Sequence, residues 1–287
     1  MSTNGFDVVL CPVDFSDISA DALRQAASLT ACTSGKLVVA YANWLDVPPY
    51  FTESTIENLK RQARDSMQHA QRSLRTFVES TLGPAGREVE TRVVEGSPVQ
   101  AIPRLAEEAH AGVIVMGTHG RSGVNRWMLG SVAEHVIRES TVPVLTTRAA
   151  PRESLHHILV PVNDTVLSRQ ALMTATQLAS RCKADVTVLN VAERNGEAEI
   201  GNLCTWIPSE ARAHCTIRDL VRHGDPSEEI VALATGMPCD LIVLGAPMRR
   251  FFDSMVLSKT ALRVIRHAPC PVLSLGSPRD FLSLGDS

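Results

Sequence analysis

The sequence predicts an α/β protein built from two tandem copies of one unit, each with a doubly wound, five-stranded parallel sheet. The chain has 287 residues, about twice the size of a common domain. Short apolar runs alternate with segments whose apolar residues recur every three or four positions, which is typical of buried parallel strands covered by helices. Residues 10–14 (LCPVD) return as residues 159–163 (LVPVN), so the unit is duplicated within the chain.

The repeat extends to the end of both units. The later matches are residues 96–98 (GSP) with 224–226 (GDP), residues 114–117 (IVMG) with 242–245 (IVLG), and residues 143–145 (PVL) with 271–273 (PVL). These pairs are closer together in the chain than the first pair, so the second copy is shorter, with its deletion between Asn43 and Val94. We therefore expect one domain over residues 1–148 and a second over residues 155–276, joined by a short linker.

In the first unit, strand and helix signals alternate, which favours a parallel sheet with helical crossovers. Apolar runs predict strands over residues 8–13, 37–42, 88–94, 112–117 and 143–147. Apolar stripes at helical spacing predict helices after Ser16, over residues 56–77, over residues 98–105 and over residues 131–138. In the second copy, residues 193–207 replace the long helix and are expected to carry a loop and one shortened helix.

Composition and charge narrow the function classes. Apolar residues make up 44% and charged residues 21% of the chain, which supplies two cores and excludes wholesale disorder. The formal net charge of −3 gives no basic field for nucleic acid. No apolar run approaches the roughly 20 residues of a membrane span, and no signal-peptide pattern opens the chain. We therefore expect a cytoplasmic protein without nucleic-acid or membrane partners.

The cysteines follow no metal-binding or disulfide pattern. The seven cysteines are scattered without a Cys-x-x-Cys pair, at positions 11, 32, 182, 204, 215, 239 and 270. Dispersed cysteines of this kind are typical of a reducing compartment, where they serve as small buried apolar residues. We therefore expect neither a disulfide framework nor a zinc site.

The segment after the fourth predicted strand is the candidate ligand site. Open parallel sheets bind ligands beyond the carboxyl ends of their strands, and Asp14 and Gly117 each follow such an end. Glycines after residue 117 let a phosphate approach the backbone, and Gly130-Ser131 opens a helix whose free N–H groups favour anions. A glycine-rich turn between a strand and a helix is also common as a tight connection, so composition alone leaves both interpretations open.

Together these motifs resemble the nucleotide-binding branch of the universal stress protein family, and the resemblance covers both halves. The residues that carry it form a Gly-x2-Gly-x9-Gly-Ser pattern at Gly117, Gly120, Gly130 and Ser131, with residues 12–14 (PVD) upstream. It implies the strand order 3-2-1-4-5 in each half and pairing of the two fifth strands in an internal pseudo-dimer. It also implies that ATP or a related adenine nucleotide is bound, alone or with Mg²⁺.

The resemblance further implies which residues surround the nucleotide. They are Pro12, Val13 and Asp14 beside the adenosine, Ala40 facing the adenine, Met116 and Gly117 along the sugar, and His119, Gly120, Arg121, Gly130, Ser131 and Val132 around the phosphates. Asp14 would lie near the ribose or near a phosphate-bound cation. The sequence contains no cluster for a dedicated metal site and no recognisable pair of catalytic base and nucleophile, so no catalytic residue is predicted.

The second half departs from this pattern around the phosphates. Its counterparts of Gly120, Gly130, Ser131 and Asp14 are Met248, Ser258, Lys259 and Asn163. Side chains at positions 248 and 258 would fill space that the phosphates need. We therefore expect one nucleotide site per chain and a structural role for the second half.

The resemblance thus implies an adenine-nucleotide-binding regulatory protein of the stress response, acting through its nucleotide-dependent state or through contacts with a protein partner. The absence of Gly-x4-Gly-Lys-Ser/Thr and Gly-x-Gly-x-x-Gly motifs counts against a Walker-type NTPase and a dinucleotide-binding module. Two alternatives stay open: a slow ATPase, and a scaffold protein with a vestigial pocket. The sequence also leaves open whether whole chains form homodimers.

Overall fold

The computed structural model describes residues 6–44, 53–120, 129–148, 154–192, 207, 215–251 and 254–276. Within these residues the chain forms one ten-stranded sheet and a separate two-stranded sheet. None of the helices in the described ranges is long and apolar enough to span a membrane.

The first half follows the predicted alternation of strands and helices. Its elements are β1 (Val8–Pro12), α1 (Asp17–Thr33), β2 (Lys36–Asn43), α2 (Glu53–Leu82), a 3₁₀ helix (Gly83–Glu88), β3 (Glu90–Glu95), α3 (Pro98–Glu108), β4 (Val113–Gly117), α4 (Ser131–Glu139) and β5 (Val144–Thr147). The sequence predicted each strand and α-helix, with boundaries that differ by a few residues. The 3₁₀ helix was not predicted, and because of it β3 begins at Glu90 and not at residue 88 as predicted.

The second half repeats this order with one unexpected insertion. Its elements are β6 (His157–Val162), α5 (Val166–Cys182), β7 (Asp185–Ala192), β8 (Ile217–His223), α6 (Pro226–Gly236), β9 (Leu241–Gly245), β10 (Met248–Phe251), β11 (Ser254–Leu257), α7 (Lys259–His267) and β12 (Val272–Leu275). The antiparallel pair β10–β11 follows β9, at the position of the glycine-rich segment in the first half. The loop and helix predicted over residues 193–207 lie outside the described residues except for Ile207, and residues 149–153 of the linker also lie outside them.

The two halves are joined edge to edge by their last strands. The strand order is β3-β2-β1-β4-β5-β12-β9-β6-β7-β8, so each half has the order 3-2-1-4-5 and the two fifth strands meet at the centre. β5 and β12 run antiparallel with Leu145 opposite Leu273, whereas each pairs in parallel with its neighbour in its own half. The strand order and the internal pseudo-dimer that the resemblance implies are therefore confirmed.

Equivalent hydroxyl groups reinforce this junction from both sides. The Oγ1 atom of Thr146 donates to the carbonyl oxygen of Val272 at 3.3 Å, and the Oγ atom of Ser274 donates to that of Val144 at 3.0 Å. Both hydroxyl side chains are buried, so water does not compete for these bonds. Because the fifth strand of each half pairs with the fifth strand of the other half, neither is left as an exposed edge.

Two aliphatic core layers cover the faces of the ten-stranded sheet. Alternate residues of a strand point to opposite faces, so Val9 and Cys11 of β1 belong to one layer while Leu10 belongs to the other. The first layer packs under α1, α2 and α5, and the second packs under α3, α4, α6 and α7. Each layer contains residues of both halves and therefore continues across the junction.

The helices α1 and α5 are equivalent in the two copies and contact each other across the junction. Near their C-terminal ends Cys32 and Cys182 form a disulfide, with Cα atoms 5.2 Å apart and 150 positions between them in the chain. The expectation that the chain has no disulfide is therefore wrong. These distant cysteines meet because the pairing of β5 with β12 places the two copies of one helix side by side.

We expect this disulfide to link the two halves covalently. If a protease site inserted after residue 151 is cleaved, the halves should remain one species in non-reducing electrophoresis and separate after reduction. The halves of the cleaved Cys182→Ser variant should separate without reductant. The free energy of unfolding of the uncleaved variant should be lower than that of the wild type by about 2–4 kcal/mol, the usual contribution of a disulfide. Cys215→Ser is the control and should behave as the wild type does; separation of the oxidised wild-type halves would contradict this prediction.

Candidate functional site

A cavity of about 400 Å³ lies at the carboxyl ends of β1, β2 and β4. Ten of the twelve predicted nucleotide-binding residues line it: Pro12, Val13, Asp14, Met116, Gly117, His119, Gly120, Gly130, Ser131 and Val132. Arg121 lies outside the described residues. Ala40 does not line the cavity, because β2 continues to Asn43 and the side chain of Ala40 is buried in the core.

Several residues of the cavity wall were not predicted from the sequence. Tyr41 and Ala42, which follow Ala40 on β2, line the cavity, and so do Ile102 of α3 and Thr118 after β4. The end of the apolar run in β2 could have indicated the first two. The position of Ile102 depends on how α3 packs over the sheet, which no local pattern in the sequence specifies.

A tight turn after β1 fixes the carboxylate of Asp14. Its Oδ1 atom accepts hydrogen bonds from the backbone N–H of Ser16 at 3.1 Å and from the hydroxyl of Ser16 at 2.5 Å. Between them, Phe15 adopts a left-handed conformation with φ of 65°, which is unusual for a bulky residue. The ring of Phe15 packs against Tyr41 and Phe77, with centroids 4.5 Å and 5.4 Å away. These aromatic contacts hold the turn in a conformation that it would otherwise avoid.

The glycines at the candidate site are required for different physical reasons. A Cβ atom on Gly117 would lie 2.5 Å from Cγ2 of Ile18, and a Cβ atom on Gly245, its counterpart, would lie 2.8 Å from Cβ of Leu167. Both glycines therefore allow the first helix of each half to pack against a strand end. In contrast, a Cβ atom on Gly120 would lie 2.6 Å from Oδ2 of Asp14, so this glycine lets the backbone approach the carboxylate beside the cavity.

Helix α4 begins at the cavity wall without a side-chain cap. Gly130 is its N-cap residue, and the backbone N–H of Gly130 donates to the carbonyl oxygen of Thr118 at 2.7 Å. The first N–H groups of a helix have no partner within the helix. In α7 the hydroxyl of Ser258 accepts from the N–H of Ala261 at 3.2 Å and so occupies the equivalent helix end. The start of α4 is therefore better suited to an anion.

His119 is the titratable side chain at this end of the cavity whose pKa is clearly shifted. Burial lowers its pKa, and the positive charge of Arg148 lowers it further. Its Nδ1 atom is 2.8 Å from the hydroxyl of Thr118. Its Nε2 atom is buried and has no hydrogen-bond partner in the part of the chain that the structure describes. His119 is thus held in its neutral form and retains one polar atom for another partner.

The second half contains a cavity of similar size but different chemistry. Its volume is about 360 Å³, and it lies at the carboxyl ends of β6 and β9. Asn163 stands where the first half has Asp14, and its Oδ1 atom accepts from the hydroxyls of Thr165 and Ser168 at 2.7 Å and 2.5 Å. The replacements at positions 163 and 258 therefore remove a carboxylate and an uncapped helix end, although the space itself is retained.

No group of three or more His, Cys, Asp or Glu side chains is arranged to hold a metal ion within the described ranges. A cation at the first cavity would therefore depend on ligand oxygens in addition to protein oxygens.

Comparison with known proteins assigns the family. The family model described as "Universal stress protein family" matches residues 5–148 and 154–275. The chain belongs to the universal stress protein family. A universal stress protein of Methanocaldococcus jannaschii is 30% identical over 153 residues, which cover 52% of this chain and 86% of that protein. The two separate matches of the family model agree with the tandem repeat found in the sequence.

Solved universal stress proteins share the architecture. The crystal structure of a universal stress protein from Archaeoglobus fulgidus superposes with a TM-score of 0.71 at 20% identity, covering 94% of this chain and 98% of that chain. This similarity extends over both halves and establishes the fold. Another universal stress protein, solved in complex with cAMP, is 26% identical and covers 50% of this chain and 98% of its own, with a TM-score of 0.36.

The lowered pKa of His119 predicts a pH dependence of stability. As the pH falls below about 6.5, the usual pKa of histidine, His119 becomes protonated in the unfolded chain at a higher pH than in the folded chain. The free energy of unfolding should therefore fall as the pH drops below 6.5, and His119→Gln should reduce this slope. Denaturant unfolding between pH 5 and 8 measures it, with the exposed His69→Gln as the control. An unchanged slope in His119→Gln would contradict the prediction.

Proposed function

We propose that the first half binds one adenine nucleotide, ATP, and that the protein acts in the stress response through nucleotide-dependent contacts with a protein partner. The observation that carries the proposal is the uncapped start of α4, which opens onto the first cavity beside Gly120 and Gly130. Membership of the universal stress protein family supports the regulatory role.

The residues present fit a nucleotide. A volume of about 400 Å³ lies within the range of sites for small ligands. Met116, Tyr41 and Ala42 offer a largely apolar wall for the base and sugar. The N–H groups at the start of α4 are donors for phosphate oxygens, and Nε2 of His119 is a further donor in the tautomer whose Nδ1 atom accepts from the hydroxyl of Thr118. When bound, the nucleotide would bring its phosphates to the end of the cavity where the carboxylate of Asp14 also lies, next to Gly120.

The same residues argue against rapid hydrolysis. Fast phosphoryl transfer needs an oriented attacking group and charges placed at the transition state. Asp14 is the carboxylate among the described lining residues, and Ser16 donates two hydrogen bonds to its Oδ1 atom. His119 is paired with Thr118 through Nδ1. Binding with little turnover is therefore the proposed activity, and a single-turnover measurement with ATP distinguishes it from a slow ATPase.

Two substitutions that copy the second half test this proposal. Gly130→Ser introduces the hydroxyl that caps α7 at Ser258, and Gly120→Met forces the Asp14 carboxylate to move. Each is expected to weaken ATP binding about tenfold to hundredfold, since loss of one charge-assisted hydrogen bond costs about 1.5–3 kcal/mol. Isothermal titration calorimetry should find one site per wild-type chain for ATP, and ADP and cAMP can be compared in the same way.

Ser258→Gly is the matched control, because it makes the reciprocal exchange in the second half, and it should leave ATP affinity unchanged. Melting temperatures without nucleotide separate binding from folding. Gly120→Met should change them less than Gly130→Ser does, because its Cβ atom would meet a side-chain atom, Oδ2 of Asp14, and no backbone atom. Gly130→Ser should lower them, because its Cβ atom would lie 3.1 Å from the carbonyl oxygen of Thr118. Wild-type affinity in both variants, or two equal sites per chain, would contradict the proposal.

A further inference from the structure

Two cysteines of the second half lie in contact, away from its cavity. Cys239 is in the loop between α6 and β9, and Cys270 is in the loop between α7 and β12. Their sulfur atoms are 3.6 Å apart. Both loops lead into the amino ends of neighbouring parallel strands, whereas the second cavity lies at the carboxyl ends. The thiol pair therefore belongs to neither candidate ligand cavity.

The two thiols differ in access, and the contact between them affects the acidity of Cys239. Cys239 is buried, whereas Cys270 is half-buried beside the exposed Pro269. The S–H group of Cys270 donates to the sulfur of Cys239, and this hydrogen bond lowers the pKa of Cys239 despite its burial. Burial instead raises the pKa of Cys11 and of Cys215. The pair thus combines an accessible thiol with a neighbour whose thiolate is stabilised.

We propose that Cys239 and Cys270 form a redox modification site, a dithiol that hydrogen peroxide converts into a disulfide. The S–H proton of Cys270 passes to the sulfur of Cys239, and the resulting thiolate of Cys270 attacks peroxide; the O–O bond breaks and hydroxide leaves, which gives a sulfenic acid on Cys270. That hydroxide takes the proton from Cys239, whose thiolate then attacks the sulfenic sulfur; an S–S bond forms and the S–O bond breaks, releasing a second hydroxide. The two thiol protons convert both hydroxides into water, and two electrons pass from the thiols to peroxide.

The geometry makes this second step short. A disulfide bond is about 2.05 Å long, so the sulfur atoms must approach by less than half of their present separation. The product would tie together the loops that enter β9 and β12. In the first half the counterparts of these cysteines are Ala111 and Val142, so one copy of the repeat has the pair and the other does not. The inference does not depend on the proposed nucleotide binding.

Peptide mapping of the full chain tests the proposal. The protein is reduced, freed of reductant, treated with hydrogen peroxide, alkylated with iodoacetamide and digested with trypsin without reduction. We expect a cross-linked peptide that joins residues 223–249 to residues 267–279, with the loss of two hydrogen atoms. Cys239→Ser and Cys270→Ser should each abolish it, and Cys215→Ser should leave it unchanged. The disulfide between Cys32 and Cys182, re-formed in the same sample, shows that the oxidant reached the protein.

Two results of this experiment would overturn the proposal. Accumulation of sulfinic acid on Cys270 with Cys239 still alkylated would overturn the proposal, because it would mean that Cys239 does not intercept the sulfenic acid. Cross-linking of Cys215 to either cysteine at a similar yield would also overturn it, because oxidation would then be unspecific. The half-buried Cys270→Ser keeps the test valid if the buried Cys239→Ser fails to fold.

Discussion

The antiparallel pairing of β5 with β12 is the interaction on which the rest of the molecule depends. It joins two five-stranded parallel sheets into one sheet of ten strands, and both core layers run through the junction. Because the second half is rotated relative to the first, the strands of the two halves run in opposite directions. The two cavities, each at the carboxyl ends of its own strands, therefore lie on opposite sides of the molecule along the strand direction. The same rotation brings the ends of α1 and α5 together at the Cys32–Cys182 disulfide.

Comparison of the two copies separates the requirements of the fold from those of the candidate site. Gly117 and Gly245 occur in both halves because a Cβ atom at either position would collide with the first helix. Gly120 and Gly130 have no glycine counterparts in the second half, which folds with Met248 and Ser258 instead. In the first half a Cβ atom on Gly120 would meet the carboxylate of Asp14, and one on Gly130 would meet the carbonyl oxygen of Thr118, so both glycines let groups at the cavity approach closely.

Most of the secondary structure could be predicted from the sequence, because it depends on local patterns that the duplication shows twice, whereas the strand order and the pairing of the two halves were implied by the family resemblance. The apolar runs of β1 and β4 and the repeated Pro-Val-Leu segments are examples. Of the predicted site residues, those that lie directly after a strand or at the start of α4 do line one cavity. The placement of Ala40 differed because the end of β2 depends on its pairing with β3, which extends to Asn43.

The α/β class, the duplication, the order of elements and the glycine-rich segment before α4 can all be identified in the sequence, since they depend on neighbouring residues and their spacing. Which distant groups meet depends on the tertiary structure. Cys32 lies beside Cys182, and Cys239 lies beside Cys270, because helices and loops far apart in the chain are brought together by the sheet. The pairing of cysteines depends on the distance between side chains in the folded state, and spacing along the chain contains no information about that distance.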